Sequence, residues 1–172
     1  EVLVDRARQG KFVVRLKGGD SFLYGRGYEE AVACAEAGIP CTVVPGVTSA
    51  FSVPALAGIP VTRRGMNHEV TVVSGHVPPG HPDSLVDWDA LARLRGTIVV
   101  LMGVRNTPAI AEALVAAGRS GETPAAVIVD GSLDGQTSHR CTLATLAGTL
   151  EAHDVRPPAI VVIVSQLVMI PF

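Results

Sequence analysis

The sequence predicts an α/β fold. Short apolar runs rich in β-branched residues alternate along the chain with stretches of good helix formers. Most apolar runs end at a glycine or a Pro-Gly pair. Such turn residues are expected where a strand ends and the chain turns toward a helix. Alternating strands and helices pack as a sheet covered by helices. We therefore expect two α/β layers, of which the first is incomplete.

The first half of the chain predicts a helix–strand–helix–strand–helix order. The expected elements are a helix closed by Gly10, a strand at residues 12–16, a helix at 28–37, a strand at 41–44 and a helix at 50–57. Thr48 or Ser49 occupies the N-cap position of the last helix. This order implies parallel strands joined by right-handed crossovers. Because a domain rarely starts within a helix, we expect a further segment before Glu1.

A polar, irregular stretch at residues 63–68 predicts a linker between a first domain at 1–62 and a second at 69–172. The second domain is expected to contain strands at 69–74, 97–102, 124–129 and 158–164, an antiparallel strand at 136–142, and helices at 85–94, 108–117 and 143–152. Asn106 or Thr107 is the expected cap of the middle helix, and Trp88 is expected to pack within the first.

The amino-acid composition limits which classes of function the protein can have. A hydrophobic fraction of 48% with 17% charged residues is typical of a globular protein. A net charge of -2, without aromatics interleaved among basic residues, argues against nucleic acid as a partner. The apolar runs fall short of the about 20 residues that span a bilayer, so no membrane association is expected. Three unclustered cysteines predict buried, reduced thiols in the cytoplasm and no metal site.

The corner at Gly18, Gly19 and Asp20 is the strongest candidate for a ligand loop. It follows a predicted strand, and open α/β sheets bind ligands outside the carboxyl ends of their strands. The glycines let a ligand approach the main chain, and Asp20 could accept hydrogen bonds from it. A tight turn in which Asp20 caps the next helix explains the same residues equally well. No Gly-Lys-Ser/Thr follows, so the corner is not a P-loop.

Several long motifs in order give the chain a family resemblance. They are Val14-Arg-Leu-Lys-Gly-Gly-Asp20, Gly25-Arg-Gly27, Val44-Pro-Gly-Val-Thr48, Ala57-Gly-Ile-Pro-Val-Thr62, Ser74-Gly-His76 and Leu101-Met-Gly103. With these motifs the chain resembles the tetrapyrrole methylase family, over essentially its whole length. The resemblance implies two αβα domains with S-adenosyl-L-methionine bound in a cleft between them, and a homodimer. It also implies C-methylation of uroporphyrinogen III to precorrin-2, on the route to siroheme and cobalamin, with S-adenosyl-L-homocysteine as product.

The resemblance also assigns residues to the cofactor. They are Gly18, Gly19, Asp20, Leu23, Thr48, Ser49, Met102 and Gly131. Two positions depart from the family pattern, because Ser21 stands where proline is usual and Ser49 where alanine is more common. The family's proton acceptor and donor would precede Glu1, so the sequence names no catalytic residue.

Arginine binds carboxylates best, and the implied substrate carries several. Arg63 and Arg64 are the leading candidates, followed by Arg26 and Arg105; for each the alternative is a solvated surface charge. Arg15 is expected to form a structural ion pair, and His76 is interpreted as a loop histidine rather than a base. Three hypotheses stay open: a uroporphyrinogen III methylase, a methylase of a later corrin intermediate, and a non-catalytic cofactor-binding and dimerisation module.

Overall fold

The computed structural model describes residues 2–164. Residue contacts divide the chain into two compact units, Glu1–Thr48 and Ser49–Phe172. The linker expected at residues 63–68, and with it the division into domains 1–62 and 69–172, stays a prediction.

Two helices form the regular structure of the first unit. They are α1 (Val2–Arg8) and α2 (Gly27–Glu36). Both occur where the sequence predicts them, and both are followed by a glycine with positive φ, Gly10 at 75° and Gly38 at 69°. After α2 the chain reverses in a Schellman motif, in which the Gly38 amide donates to the Ala35 carbonyl at 3.0 Å.

The two strands predicted in this unit are not formed. Neither residues 12–16 nor residues 41–44 belong to a β-ladder, so the prediction of parallel strands here is wrong. The apolar side chains of the first segment are exposed instead of buried: Phe12 is 96%, Val14 73% and Leu16 84% exposed. A strand exists only with a partner backbone, and no described segment supplies one to either run.

The second unit is a five-stranded sheet with helices. Its elements are α3 (Ser49–Leu56), β1 (Val70–Ser74), α4 (Trp88–Arg93), β2 (Thr97–Leu101), a 3₁₀ turn (Val104–Asn106), α5 (Thr107–Ala116), β3 (Pro124–Val129), β4 (Thr137–Thr142), α6 (Leu146–Ala152) and β5 (Ala159–Ile163). All four predicted strands and the antiparallel strand are confirmed, with no end shifted by more than one residue. The helices α4 and α6 start about three residues later than predicted, α4 because the Asp87 carboxylate accepts the Ala90 amide at 2.8 Å and fixes its first turn.

The strand order β1-β2-β5-β3-β4 decides which loops lie together. β1 is parallel to β2, whereas β5 is antiparallel to both β2 and β3. β1, β2 and β3 therefore all point the same way. The residues that follow them, 75–76, 102–103 and 130–131, lie at one end of the sheet, which we call the carboxyl edge. The opposite end, where β1 and β2 begin, is the amino edge.

The core of this unit lies on the sheet faces. Every residue of β2 is buried, as are the central residues of β3 and β5. Trp88, Leu91, Ile110, Leu114, Leu146 and Leu150 from α4, α5 and α6 join them in one cluster. The prediction that Trp88 packs within its helix is confirmed. Among the described helices, none is long and apolar enough to cross a membrane.

Candidate functional site

Asp20 organises the glycine corner of the first unit. One of its carboxylate oxygens accepts the Phe22 amide at 2.8 Å, and the other accepts the Gly46 amide at 3.0 Å. The amides of Gly46, Phe22 and Leu23 hold the pKa of Asp20 below its usual value, because they stabilise the ionised form. The carboxylate thus joins residues 18–23 to residues 45–48. Each oxygen keeps a second lone pair through which it can still accept a bond from a ligand.

Close backbone approach explains the glycines around this corner. A side chain at Gly46 would collide with the Gly19 carbonyl, so only glycine fits there. Cβ atoms at Gly25 or Gly27 would each stand 2.6 Å from the Ser21 carbonyl oxygen, which also accepts the Gly27 amide at 2.9 Å. The Gly25-Arg-Gly27 motif is therefore required by packing within this unit.

The structure brings two cofactor candidates of the first unit together. Gly19 has φ of 65°, and a Cβ on it would lie 4.0 Å from the Thr48 Cα. Beside Gly18 a Cβ would meet nothing within 4 Å, so the main chain there faces open space. Leu23 is half-buried in the same corner, and its amide approaches the Asp20 carbonyl at 3.4 Å. A ligand can therefore reach the backbone at Gly18 and Gly19.

In the second unit, Met102 and Gly131 lie at the carboxyl edge. They follow β2 and β3, which are separated only by β5, so about 10 Å divides them. Met102 adopts φ of 55° and is 53% exposed, and Asp130 adopts φ of 50°. Non-glycine residues in this region are strained by about 1–3 kcal/mol, and such strain clusters at binding sites. Gly131 is packed so closely on Val53 of α3 that a side chain would collide with it. The same helix starts at Ser49, which is exposed.

Asn106 is a site residue that sequence reasoning missed. It was expected to cap α5 but makes no cap hydrogen bond. Its amide instead donates to the carbonyls of Gly75 at 2.8 Å and His76 at 2.9 Å, which fixes the turn after β1 against the turn after β2. Gly75 and Gly103 make this approach feasible, since a Cβ at Gly75 would lie 2.6 Å from the Gly103 Cα. No local pattern signals a contact between residues about 30 positions apart.

The candidate arginines lie elsewhere in the second unit. The Arg63 amide donates to the Asn67 side chain, which in turn donates to the Thr97 hydroxyl at the start of β2. Arg63 and Arg64 therefore sit at the amino edge, about 15 Å from Met102 along the strands. Both are exposed, next to a cavity of ≈ 380 Å³ lined by residues 65–69, 95 and 96.

The remaining charged candidates either form salt bridges within the first unit or are exposed in the second. Arg15 pairs with Glu30 at 3.1 Å, which confirms its predicted structural ion pair, and Lys17 joins the same carboxylate at 2.8 Å. Arg26 pairs with Glu29 at 3.3 Å. His76 and Arg105 are exposed at the carboxyl edge. Within residues 2–164, no three metal-ligating side chains come together.

The family model described as Tetrapyrrole (Corrin/Porphyrin) Methylases matches residues 1–147. The chain belongs to the tetrapyrrole methylase family. The chain is 48% identical over 163 residues to an S-adenosyl-L-methionine-dependent uroporphyrinogen III methyltransferase of Methanosarcina barkeri. That match covers 95% of this chain but 64% of the relative, so the chain spans slightly less than two thirds of that protein.

Solved structures agree with the family assignment. A uroporphyrin-III C-methyl transferase of Thermus thermophilus, complexed with S-adenyl homocysteine, superposes with a TM-score of 0.76 at 37% identity. The superposition covers 94% of this chain and 69% of the Thermus chain. A cobalt precorrin-4 methyltransferase superposes with a TM-score of 0.84 at 26% identity, over 93% of this chain and 66% of the other. The mixed α/β fold with its five-stranded sheet is thus shared with methyltransferases of tetrapyrroles.

Proposed function

We propose that the protein transfers methyl groups from S-adenosyl-L-methionine to uroporphyrinogen III, giving precorrin-2 and S-adenosyl-L-homocysteine on the route to siroheme and cobalamin. The observation that carries the proposal is the 48% identity to a methyltransferase of that name, extending over 95% of the chain. The chemistry places modest demands on the protein. The sulfonium supplies an activated methyl group, so the protein needs mainly to align the reactants, which lowers the barrier by about 7–11 kcal/mol.

Cofactor contacts are proposed within each unit by itself. In the first unit they are Gly18, Gly19, Asp20, Leu23 and Thr48, and in the second Ser49, Met102 and Gly131. Support comes from the structure of each unit: the open main chain beside Gly18, the contact of Gly19 with Thr48, and the exposed, strained Met102. Loss of a proton from the methylated ring requires a base, and the chain's described residues single out none.

Replacing Asp20 with alanine tests the cofactor role. Asp20→Ala removes the acceptor of the Phe22 and Gly46 amides and so loosens the corner that would hold the ligand. We expect affinity for S-adenosyl-L-methionine to fall at least about tenfold in calorimetric titration. Asp5→Ala, on the exposed face of α1, is the matched control and should bind normally. Unchanged affinity in Asp20→Ala would remove Asp20 from the site.

Arg63 and Arg64 are proposed to bind carboxylates of the tetrapyrrole. They are exposed beside the cavity at the amino edge, and within residues 2–164 no carboxylate lies within ion-pair distance of either. Arg63→Ala should raise the KM for uroporphyrinogen III several-fold, because one charge-assisted contact is lost. Affinity for S-adenosyl-L-methionine should stay unchanged, since the residue lies far from Met102. Arg93→Ala, an exposed arginine in α4, provides the control. If the KM for uroporphyrinogen III and the affinity for S-adenosyl-L-methionine both change, or if neither changes, Arg63 does not bind a substrate carboxylate as proposed.

Product analysis distinguishes the remaining hypotheses. Two methyl groups on uroporphyrinogen III support the proposal. Methylation of a later corrin substrate instead would support the second candidate, which is favoured by the likeness to cobalt precorrin-4 methyltransferase. Cofactor binding without turnover by the 172-residue chain would support a non-catalytic module. A homodimer, implied by the family resemblance, and a cytoplasmic location are further proposals, to be checked by light scattering and cell fractionation.

A further inference from the structure

The loop that joins β3 to β4 lies at the carboxyl edge and contains Gly131, one of the proposed cofactor contacts. It spans residues 130–136 and begins after the last pair of the β3–β4 ladder, which is Val129 with Thr137. The middle of the loop is exposed to solvent, with Leu133 60% exposed, so packing alone does not hold it. Its shape therefore depends on hydrogen bonds.

Gly131 is flanked by two residues in the left-handed region of the backbone. Asp130 has φ of 50°, and Ser132 has φ of 73°. Residues other than glycine are disfavoured in this region and stay there only when their surroundings impose it. The backbone around Gly131 therefore requires contacts that hold it from both sides.

On the side toward β3, the sheet and α3 impose this conformation. The Asp130 amide donates to the carbonyl of Pro158, just before β5, at 3.0 Å. A side chain at Gly131 would collide with Val53 of α3, so the helix covers one side of this residue. The Asp130 carbonyl also accepts the Leu133 amide at 3.0 Å, which closes a turn around Gly131.

On the side toward β4, the Gln136 side chain holds the turn. Its Oε1 accepts the Ser132 amide at 2.8 Å, and its backbone amide donates to the Leu133 carbonyl at 3.0 Å. Gln136 is half-buried, and among residues 2–164 its side-chain nitrogen has no hydrogen-bond partner. The contact with Ser132 therefore needs an acceptor at Oε1 and makes no use of the side-chain donor.

We propose that Gln136 is a positioning residue: by accepting the Ser132 amide, it holds Gly131 in the backbone conformation that contacts S-adenosyl-L-methionine. Gln136 does not touch the cofactor itself and acts through Ser132. Without the acceptor, Ser132 is free to leave the left-handed region, and the Gly131 main chain then faces a different direction. The inference rests on the proposed function, because Gly131 enters it as a cofactor contact.

Two substitutions of Gln136 test this role. Gln136→Leu keeps much of the side-chain size but removes the acceptor, whereas Gln136→Glu keeps the acceptor and removes the side-chain donor. In calorimetric titration with S-adenosyl-L-methionine, we expect the affinity of Gln136→Leu to fall about three- to tenfold. The affinity of Gln136→Glu should stay within about twofold of the wild type, because its carboxylate still accepts the Ser132 amide. Gln9→Leu, an exposed position just after α1, is the matched control and should bind normally.

Hydrogen exchange of the Ser132 amide, followed by NMR without cofactor, tests the contact itself. This amide should exchange more slowly in the wild type and in Gln136→Glu than in Gln136→Leu, because only the first two provide an acceptor. Equal exchange rates in the wild type and Gln136→Leu would overturn the proposal.

The titrations separate failure of the inference from failure of the proposed function. If Gln136→Glu loses as much affinity as Gln136→Leu, the side-chain nitrogen contacts the cofactor directly and the positioning role is wrong. If the wild type binds S-adenosyl-L-methionine and Gln136→Leu binds it equally well, the inference alone fails. If the wild type itself does not bind, the proposed function fails and the positioning role fails with it.

Discussion

Asn106 fixes the turns of the carboxyl edge with one side chain. Its amide nitrogen serves two carbonyls, those of Gly75 and His76, and the Thr107 hydroxyl beside it donates to the Gly103 carbonyl at 2.8 Å. The geometry requires a donor at this position. An isosteric carboxylate would face the same carbonyls with an acceptor and would repel them.

Asn106→Ala should lower the free energy of unfolding by about 1–3 kcal/mol, because two carbonyls lose their donor. Asn106→Asp should lower the free energy of unfolding at least as much at pH 7. At acidic pH part of this loss should be recovered, because the protonated carboxyl group can donate a hydrogen bond. Urea denaturation monitored by circular dichroism measures both. An Asp variant as stable as the wild type would show that the two hydrogen bonds contribute nothing.

His139 gives the protein a pH-dependent stability. Its ring stacks on His153 with centroids 3.9 Å apart. Burial, and then repulsion from His153, lower the pKa of His139 below its usual value of 6.5. The unfolded chain therefore binds a proton more readily than the folded one. The stability from this site is present above pH 6.5 and is lost as the pH falls from that value through the lower pKa of the folded state.

We expect the melting temperature to fall between about pH 7 and pH 5 more steeply in the wild type than in His139→Gln, which cannot be protonated. His81→Gln, an exposed loop histidine, is the control and should follow the wild type. If the melting temperatures of His139→Gln and the wild type fall in parallel with pH, His139 is not the source of the pH dependence. Differential scanning fluorimetry across this range is sufficient.

At the scale of elements, Arg119 joins α4 to the start of β2. Its guanidinium is buried and donates to three carbonyls: Leu91 at 3.3 Å, Leu94 at 3.1 Å and Gly96 at 3.1 Å. The first two belong to the end of α4, where unpaired carbonyls are left by the helix. Burial lowers the pKa of Arg119, although the group stays charged.

Arg119→Met should reduce the free energy of unfolding by about 2–3 kcal/mol, since it keeps much of the side-chain volume but leaves three carbonyls without a donor. Arg93→Met, on the exposed side of α4, should change it by less than about 0.5 kcal/mol. Chemical denaturation of the pair provides the comparison. If both substitutions change the free energy of unfolding equally, the hydrogen bonds of the buried Arg119 guanidinium do not stabilise the fold.

The strands show what the sequence could and could not predict. Residues 97–101 and 124–129 were identified because each is a short β-branched run whose partners are also in the described sheet. Residues 12–16 carry the same local signal but form no strand, because pairing depends on a neighbour that local sequence does not specify. Helix ends were predicted well where Gly10 and Gly38 mark them. The sequence did not predict that α4 begins at Trp88 and α6 at Leu146. Hydrogen bonds from side chains in the preceding turns determine where these helices begin.

The candidate site shows the same limit. Gly19, Thr48, Met102 and Gly131 were selected by resemblance, and the structure places the first two together in one unit and the last two along one sheet edge of the other. Asn106 was missed because its role depends on a distant turn. The placement of Arg63 and Arg64 at the amino edge could not be foreseen, since it follows from the side-chain contacts of Asn67 and not from position in the chain.

At the scale of the whole molecule, the order of the strands has a consequence for synthesis. β5 is the last described strand, yet it lies in the middle of the sheet, between β2 and β3. Until the ribosome has released it, the two strands that flank it each expose an unpaired, strongly apolar border. The sheet therefore cannot close before residues 159–163 have been synthesised, and during that interval the unpaired edges of β2 and β3 are open to aggregation.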